Sequence, residues 1–136
     1  MPEDRLTSAV QSAIAEAQQV AITRHHQEID IPEFFKVIIQ PGEFGADLFQ
    51  RTGINVGLFE KEIDEQLDRV SVVEGQVSYG QNFSQNLARL IQEAEQLRQK
   101  QGDEYIALDT VILALMKLKN HPLKIYLEKQ GLTEKN

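Results

Sequence analysis

The sequence predicts an all-α protein of two pseudo-symmetric helical repeats, with about seven or eight helices, and three observations carry that prediction. One pattern of apolar, small and capping residues occurs twice, over Thr7 to Leu48 and again over Ser84 to Ile125, at a constant offset of 77 positions. Within each copy the apolar residues recur at the three- and four-residue spacing of a helix face. No stretch alternates convincingly with the two-residue period of a half-buried strand. The offset pairs Thr7 with Ser84, Val10 with Leu87, Ile14 with Ile91, Ala17 with Ala94, Val20 with Leu97, Ile29 with Ile106, Phe34 with Val111 and Ile38 with Leu115. A repeated unit cannot bury its apolar face alone, so two copies imply one shared core with a seam between the halves.

The elements follow in order. Leu6, Val10, Ala13, Ile14, Ala17, Val20 and Ala21 trace an Ala-rich helical face, which predicts a first helix from about Thr7 to Arg24. Thr7 or Ser8 can cap it, and Ser8 with Gln11 has capping-box spacing. Asp30-Ile31-Pro32-Glu33 predicts a second start, since proline is tolerated in a first turn and Glu33 can reach back to the Asp30 amide. A short apolar helix from Phe34 to Ile39 follows, and Pro41-Gly42 stops it. Ala46 to Thr52 is predicted as the third helix, closed by Gly53 in a left-handed conformation. Asn55 caps a fourth, whose Phe59, Ile63 and Leu67 repeat every four residues and which ends near Arg69. Ser71 to Asn82, with Gly75 and Gly80 and no helical period, is the expected connector. The second copy starts at Ser84, shows Leu87, Leu90, Ile91, Ala94 and Leu97 on one face, stops at Gln101-Gly102 and resumes from Asp109. His121-Pro122 starts a last helix that Gly131 ends.

At 136 residues the chain is about one domain, with repeat one over about 5–70, the connector over 71–82 and repeat two over about 83–132. Fourteen basic against 21 acidic residues give a net charge of −7, so binding a phosphate backbone would work against the chain's own field, and nucleic acid is excluded as an expected partner. With no cysteine there is neither a disulfide nor a thiolate metal site. The longest apolar run, Val111 to Met116, is far too short to span a bilayer, and the opening Met1-Pro2-Glu3-Asp4-Arg5 is acidic with no apolar stretch behind it, so a soluble cytoplasmic protein is expected.

The chemistry-bearing motifs are few. No glycine precedes a lysine and no Gly-x-Gly-x-x-Gly occurs, so the segment lacks the backbone cradle of a nucleotide site. His25 and His26 point in different directions as neighbours and His121 lies far along the chain, which predicts a solvated turn and no metal site. No local signature orients a serine or threonine nucleophile, so the segment is expected to be non-catalytic. The acidic run Glu60 to Asp68 predicts an exposed helix face, and Phe34 and Phe35 are expected to fill the core.

Asp4-Arg5-Leu6-Thr7, the Ala-rich first helix, the Gln27-Glu28-Ile29-Asp30-Ile31-Pro32-Glu33 lead-in and Gly102-Asp103-Glu104-Tyr105-Ile106 together resemble the amino-terminal domain of Clp chaperone ATPases. The stretch Leu67-Asp68-Arg69-Val70-Ser71-Val72-Val73-Glu74-Gly75 is similar to the connector of the ClpB disaggregase branch. The likeness runs from Asp4 to about Leu132. It implies a monomeric helical recognition module at the front of a hexameric machine, whose ATP and magnesium are used in modules outside this segment, so none is expected as a cofactor here. It implies that unfolded or aggregated polypeptide is engaged at Thr7, Asp103 and Asp109 and along an apolar groove of the second copy walled by Leu97. Glu93 and Thr110 are polar where the family pattern has apolar neighbours. The alternative it leaves open is the docking of folded adaptor proteins, as in the protease-partnered ClpA and ClpC branches.

Overall fold

A computed structural model describes residues 2–72, 74–75 and 78–133; Val73, Gln76 and Val77 of the expected connector, and the two chain ends, lie outside the described residues. After a short 3-10 helix at Pro2–Arg5, the chain forms α1 (Ser8–Thr23), β1 (Glu28–Ile29), α2 (Ile31–Ile38), α3 (Phe44–Arg51) and α4 (Val56–Asp68). Then come β2 (Asn82–Phe83), α5 (Gln85–Gln101), α6 (Leu108–Lys117) and α7 (Pro122–Lys129). The offset of 77 maps α1, α2 and α3 onto α5, α6 and α7. Among the described residues α4 has no counterpart, and the α6 residues corresponding to Phe35 and Lys36, which lie under α4, instead line a hollow of about 220 Å³ at Ile112 and Leu113.

Local chemistry explains the boundaries. Thr7, Asn55 and Ser84 each accept a hydrogen bond from the backbone amide three residues on, and His121 accepts one through Nδ1 from the Leu123 amide. Asp30 and Glu33 form a reciprocal capping box, with Pro32 in the first turn of α2. The Ser8–Gln11 box does not form. Thr7 takes the cap position and Ser8 is already the first residue of α1, and the Gln11 side chain instead donates to the Leu6 carbonyl at 2.9 Å. α3 begins two residues earlier than its periodicity suggests. Gly45 sits in its first turn, where the missing Cβ lets the helix lie directly on the Ile38 carbonyl.

The seam is built by backbone pairing too short to show as a sequence period. Ile29 pairs with Phe83 in a two-residue parallel ladder, and Leu6 forms a parallel bridge with Ile106. The two pairings are reciprocal under the repeat: the Ser84 amide donates to the Ile29 carbonyl at 2.9 Å, and the Thr7 amide donates to the Ile106 carbonyl at 3.0 Å. Each copy therefore presents the same two backbone segments to the other, the arrangement of an isologous two-fold interface inside one chain.

One core runs through both copies, from Val10, Ala17, Phe34 and Phe35 to Leu87, Ala94, Val111 and Leu115. α1 packs on α2 and α5 on α6. α4 closes the first copy, with its Phe59 among Phe35, Phe49 and, from the second copy, Tyr126. Its acidic face is tied down by cations: Lys36 reaches Glu60 at 2.7 Å and Asp64 at 2.9 Å, and Arg24 reaches Asp68 at 2.8 Å.

Candidate functional site

Three helix starts converge on one side of the seam. Thr7 and Ala9 from α1, Phe44 from α3, and Ala107, Leu108 and Asp109 from α6 line a groove of about 360 Å³. Phe44 is 41 % exposed, an apolar ring held at the surface by the first turn of α3. Two of the three starts carry no side-chain cap, since Glu43 and Ala107 precede α3 and α6 without a capping hydrogen bond. The Leu108 and Asp109 amides are thus left without a side-chain cap at the positive end of a helix. Asp109 saturates only the next amide, accepting from Thr110 at 2.9 Å, and is otherwise exposed.

The pseudo-equivalent place on the other side of the seam shows what this groove lacks. There the offset puts Ser84, Asp30 and His121 where the groove has Thr7, Ala107 and Phe44. The Ser84 hydroxyl donates to Asp30 Oδ1 at 2.6 Å, and the same oxygen accepts from the Ile31 amide at 2.7 Å. Ser84 and His121 are buried, and the site is closed by its own polar side chains. With alanine replacing Asp30 at position 107, the Thr7 hydroxyl has no carboxylate to meet. Its oxygen accepts from the Val10 amide at 3.2 Å and its proton remains available to an incoming acceptor. The repeat therefore carries two copies of one site, one internally satisfied and one open.

The structure brings Thr7 and Asp109 into this groove but not the other two expected residues. Leu97 is 6 % exposed and belongs to the core, because α5 turns that face inward onto α6, and it is not among the residues that line the seam groove. The groove lies at the seam, with Phe44 and Leu108 as its apolar part. Asp103 is exposed on the turn after α5, where Arg98 holds its backbone carbonyl at 2.8 Å. That turn is stiffened from below, since the Arg98 guanidinium, helped by the Gln99 amide, holds the Glu95 carboxyl down at about 2. Thr110 is buried, and Glu93 lines a different hollow. Phe34 and Phe35 are fully buried, so neither contributes to a groove.

His26 does not sit in a solvated turn. It is 2 % exposed, its Nδ1 lies 2.8 Å from Glu33 Oε2, and the chain folds back over it so that the Gly80 amide donates to its carbonyl. Burial pushes the Glu33 carboxyl up, against the opposing pull of the His26 ring. His25 stays partly exposed, its ring stacked on Tyr79 at 4.8 Å. Among the described residues no group of three or more histidines, cysteines and acids could hold a metal ion, and no helix is long and apolar enough to cross a membrane.

The closed side of the seam has a pH signature. Burial lowers the His121 pKa below 6.5, with the Asp30 charge opposing it, and its Nδ1 must be unprotonated to cap α7. The unfolded chain therefore takes up a proton at higher pH than the native state, and stability falls as pH drops below 6.5 toward the native pKa. Urea unfolding midpoints taken above and below that pH are expected to diverge less in His121→Asn, which keeps a capping oxygen. An identical pH dependence in the variant would show that His121 is not the group responsible.

Comparison with known proteins places the chain. The Clp repeat (R) N-terminal domain family matches residues 5–130. The chaperone protein ClpB of Enterococcus faecalis is 51 % identical over 133 residues, 97 % of this chain and 15 % of that protein. The chain thus spans about one-sixth or less of the length of the ClpB relatives it matches. Among solved structures, the Hsp104 N-terminal domain from Candida albicans superimposes with a TM-score of 0.80 at 20 % identity, over 96 % of this chain and 85 % of that one. A ClpV N-domain in complex with a VipB peptide does so with a TM-score of 0.74 at 21 % identity, over 98 % and 82 %. The matched family is a non-catalytic module, and the ATPase modules of ClpB lie outside this segment. With a doubled helical core, the reciprocal seam and a family match over nearly its whole length, this chain belongs to the Clp repeat N-terminal domain family.

Proposed function

We propose that this domain recognises unfolded or aggregated polypeptide for an ATP-dependent disaggregase of the cytoplasm, by docking extended segments in the open groove at the seam. The observation that carries this reading is the asymmetry of the two pseudo-equivalent sites: only the Thr7 side presents an apolar ring, a hydroxyl proton and amides without a side-chain cap. A polypeptide supplies what these groups need, namely side chains for Phe44 and Leu108 and backbone carbonyls for the Thr7 hydroxyl and the Leu108 and Asp109 amides. The Asp109 carboxylate receives backbone amides or basic side chains, while Asp103, on the exposed turn after α5, would meet a client outside this groove. A ClpV N-domain of the same fold holding a VipB peptide supports a peptide as the class of ligand. Burying about 200 Å² of apolar surface supplies only about 5 kcal/mol before ordering costs, so binding is expected to be micromolar or weaker. Weak capture suits a module that hands its client on to the ATPase ring.

An amide-resolved NMR titration with a permanently unfolded protein tests this. The signals of Thr7, Phe44, Leu108 and Asp109 are expected to move together, and Phe44→Asp should weaken binding about tenfold. Because Phe44 is 41 % exposed, the variant should unfold at close to the parental urea concentration. Shifts confined to other surfaces, with these four signals still, would refute the reading.

A further inference from the structure

The two copies differ in charge as well as in closure. Residues 5–70 carry eleven acidic against six basic side chains, whereas residues 83–132 carry six against seven, so the domain's excess negative charge lies in its first half. Most of that excess lies on α4, which carries five acidic against one basic side chain, but a second pair of equivalent hollows also differs in charge, each between the first helix of a copy and the loop after its second helix. In the first copy this hollow, about 460 Å³, is floored by Val20, Val37 and Pro41 and edged by Glu16 and Glu43. Its one cation, Lys36, is consumed by Glu60 and Asp64. In the second copy the hollow, about 420 Å³, is edged by Arg89, Lys117 and Lys119, with Glu93 as its single carboxylate. The repeat offset replaces Ser12, Gln40 and Gly42 of the first copy with these three cations. Arg89 and Lys119 are exposed and, among the described residues, make no ion pair, while Arg24, Arg51 and Arg98 elsewhere are each paired to a carboxylate.

We propose that the hollow between α5 and the α6–α7 loop is a second docking site, selective for acidic segments of extended polypeptide. It rests on the reading of this domain as a polypeptide binder and adds a preference among its ligands. Arg89 and Lys119, converging on one hollow of a chain of net charge −7, hold a local positive field that only a short acidic stretch can use, because a longer polyanion runs out over the acidic remainder of the surface. Asn86 and Asn120 at the rim offer amide donors and acceptors matched to peptide backbone, and Leu118 supplies an apolar floor. That chemistry favours a peptide over a nucleic acid strand, whose evenly spaced phosphates find neither a continuous basic track nor an aromatic platform here. The site is distinct from the Thr7 groove, sharing no lining residue with it.

The test is fluorescence anisotropy on the 136-residue chain with a labelled peptide of alternating glutamate and leucine, against the same peptide with glutamine for glutamate. The acidic peptide is expected to bind at least about tenfold more tightly, and raising salt from about 25 to about 150 mM should erase most of that difference. Arg89→Glu with Lys119→Glu should abolish the preference, leave the unfolding midpoint unchanged because both side chains are exposed, and leave the shifts at Thr7 and Phe44 intact with a charge-poor unfolded client. Equal binding of the two peptides, insensitivity to the charge reversal, or competition by an oligonucleotide of matched charge at the same concentration would each overturn the proposal. If the acidic peptide fails while the charge-poor client still moves Thr7, this inference falls alone. If neither binds, the reading of the domain as a polypeptide binder falls with it.

Discussion

Phe59→Ala is expected to destabilise the domain by about 4 kcal/mol, enough to leave it marginal against a typical total of about 5–15 kcal/mol. Phe59 is fully buried, and its ring lies 5.1 Å from Phe49, 6.4 Å from Phe35 and 5.9 Å from Tyr126 between centroids. Tyr126 belongs to the second copy and the other two to the first, so one side chain ties α4 to both halves. Truncation removes the transfer energy of the ring, opens a cavity among three aromatic rings that cannot all collapse inward, and ends edge-to-face and stacked contacts worth about 0.5–1.5 kcal/mol each. Phe59→Leu should recover about half of the loss, since it refills volume without the ring contacts. Urea unfolding followed by circular dichroism measures both. A loss below about 2 kcal/mol for the alanine variant would show that the two copies hold together without this contact.

Gly45→Ala has the second largest expected effect, in the direction opposite to helix propensity. In an exposed helix interior, alanine in place of glycine stabilises by about 1 kcal/mol. Here a Cβ would collide with the Ile38 carbonyl oxygen and lie 3.0 Å from its carbon and Cγ1. The obstacle is backbone in the last turn of α2, and Ile38 is 2 % exposed, so nothing nearby can give way except α3 itself. We expect a loss of about 3 kcal/mol, the upper part of the overpacking range, because the clash outweighs the propensity gain. Lifting α3 also displaces Phe44, so polypeptide binding at the seam groove should weaken beyond what the lost stability explains. Gly57→Ala is the control. Its Cβ would meet only the Asn55 side chain at 3.4 Å in the first turn of α4, and it should be neutral or stabilising by up to about 1 kcal/mol. Similar thermal midpoints for the two variants would contradict the packing argument.

Much of the fold is legible in the sequence because its signals are local. A helix face repeats within a few residues, and Asp30-Ile31-Pro32-Glu33 announces a capping box that forms as read. Glycines 53, 102 and 131 close helices in the left-handed conformation their positions imply. The doubling is visible because two segments under the same packing constraint keep the same pattern. The site is less legible. Thr7 and Asp109 are readable as helix-start residues, but Phe44 lies in a stretch with no period, and the likeness of Leu97 to Val20 across the repeat says only that both copies need an apolar residue there. His26 reads as part of a polar turn until the backbone from Gly80 covers it and Glu33 arrives from the next helix.

By itself the sequence determined the helices, their caps and the two-copy plan, since each depends on residues a few positions apart or on one pattern compared with itself. Only the tertiary structure decided which of two equivalent sites is open, because that turns on Ala107 standing where Asp30 stands and on whether a serine hydroxyl 54 residues away finds its carboxylate. It also decided which cations are paired, since Lys36 and Arg24 are held by carboxylates of α4, whereas among the described residues Arg89 and Lys119 have no such helix across from them. Burial, pairing and exposure are properties of what lies opposite a side chain. A linear pattern records what a residue can do, and the fold selects whether its partner is protein or ligand.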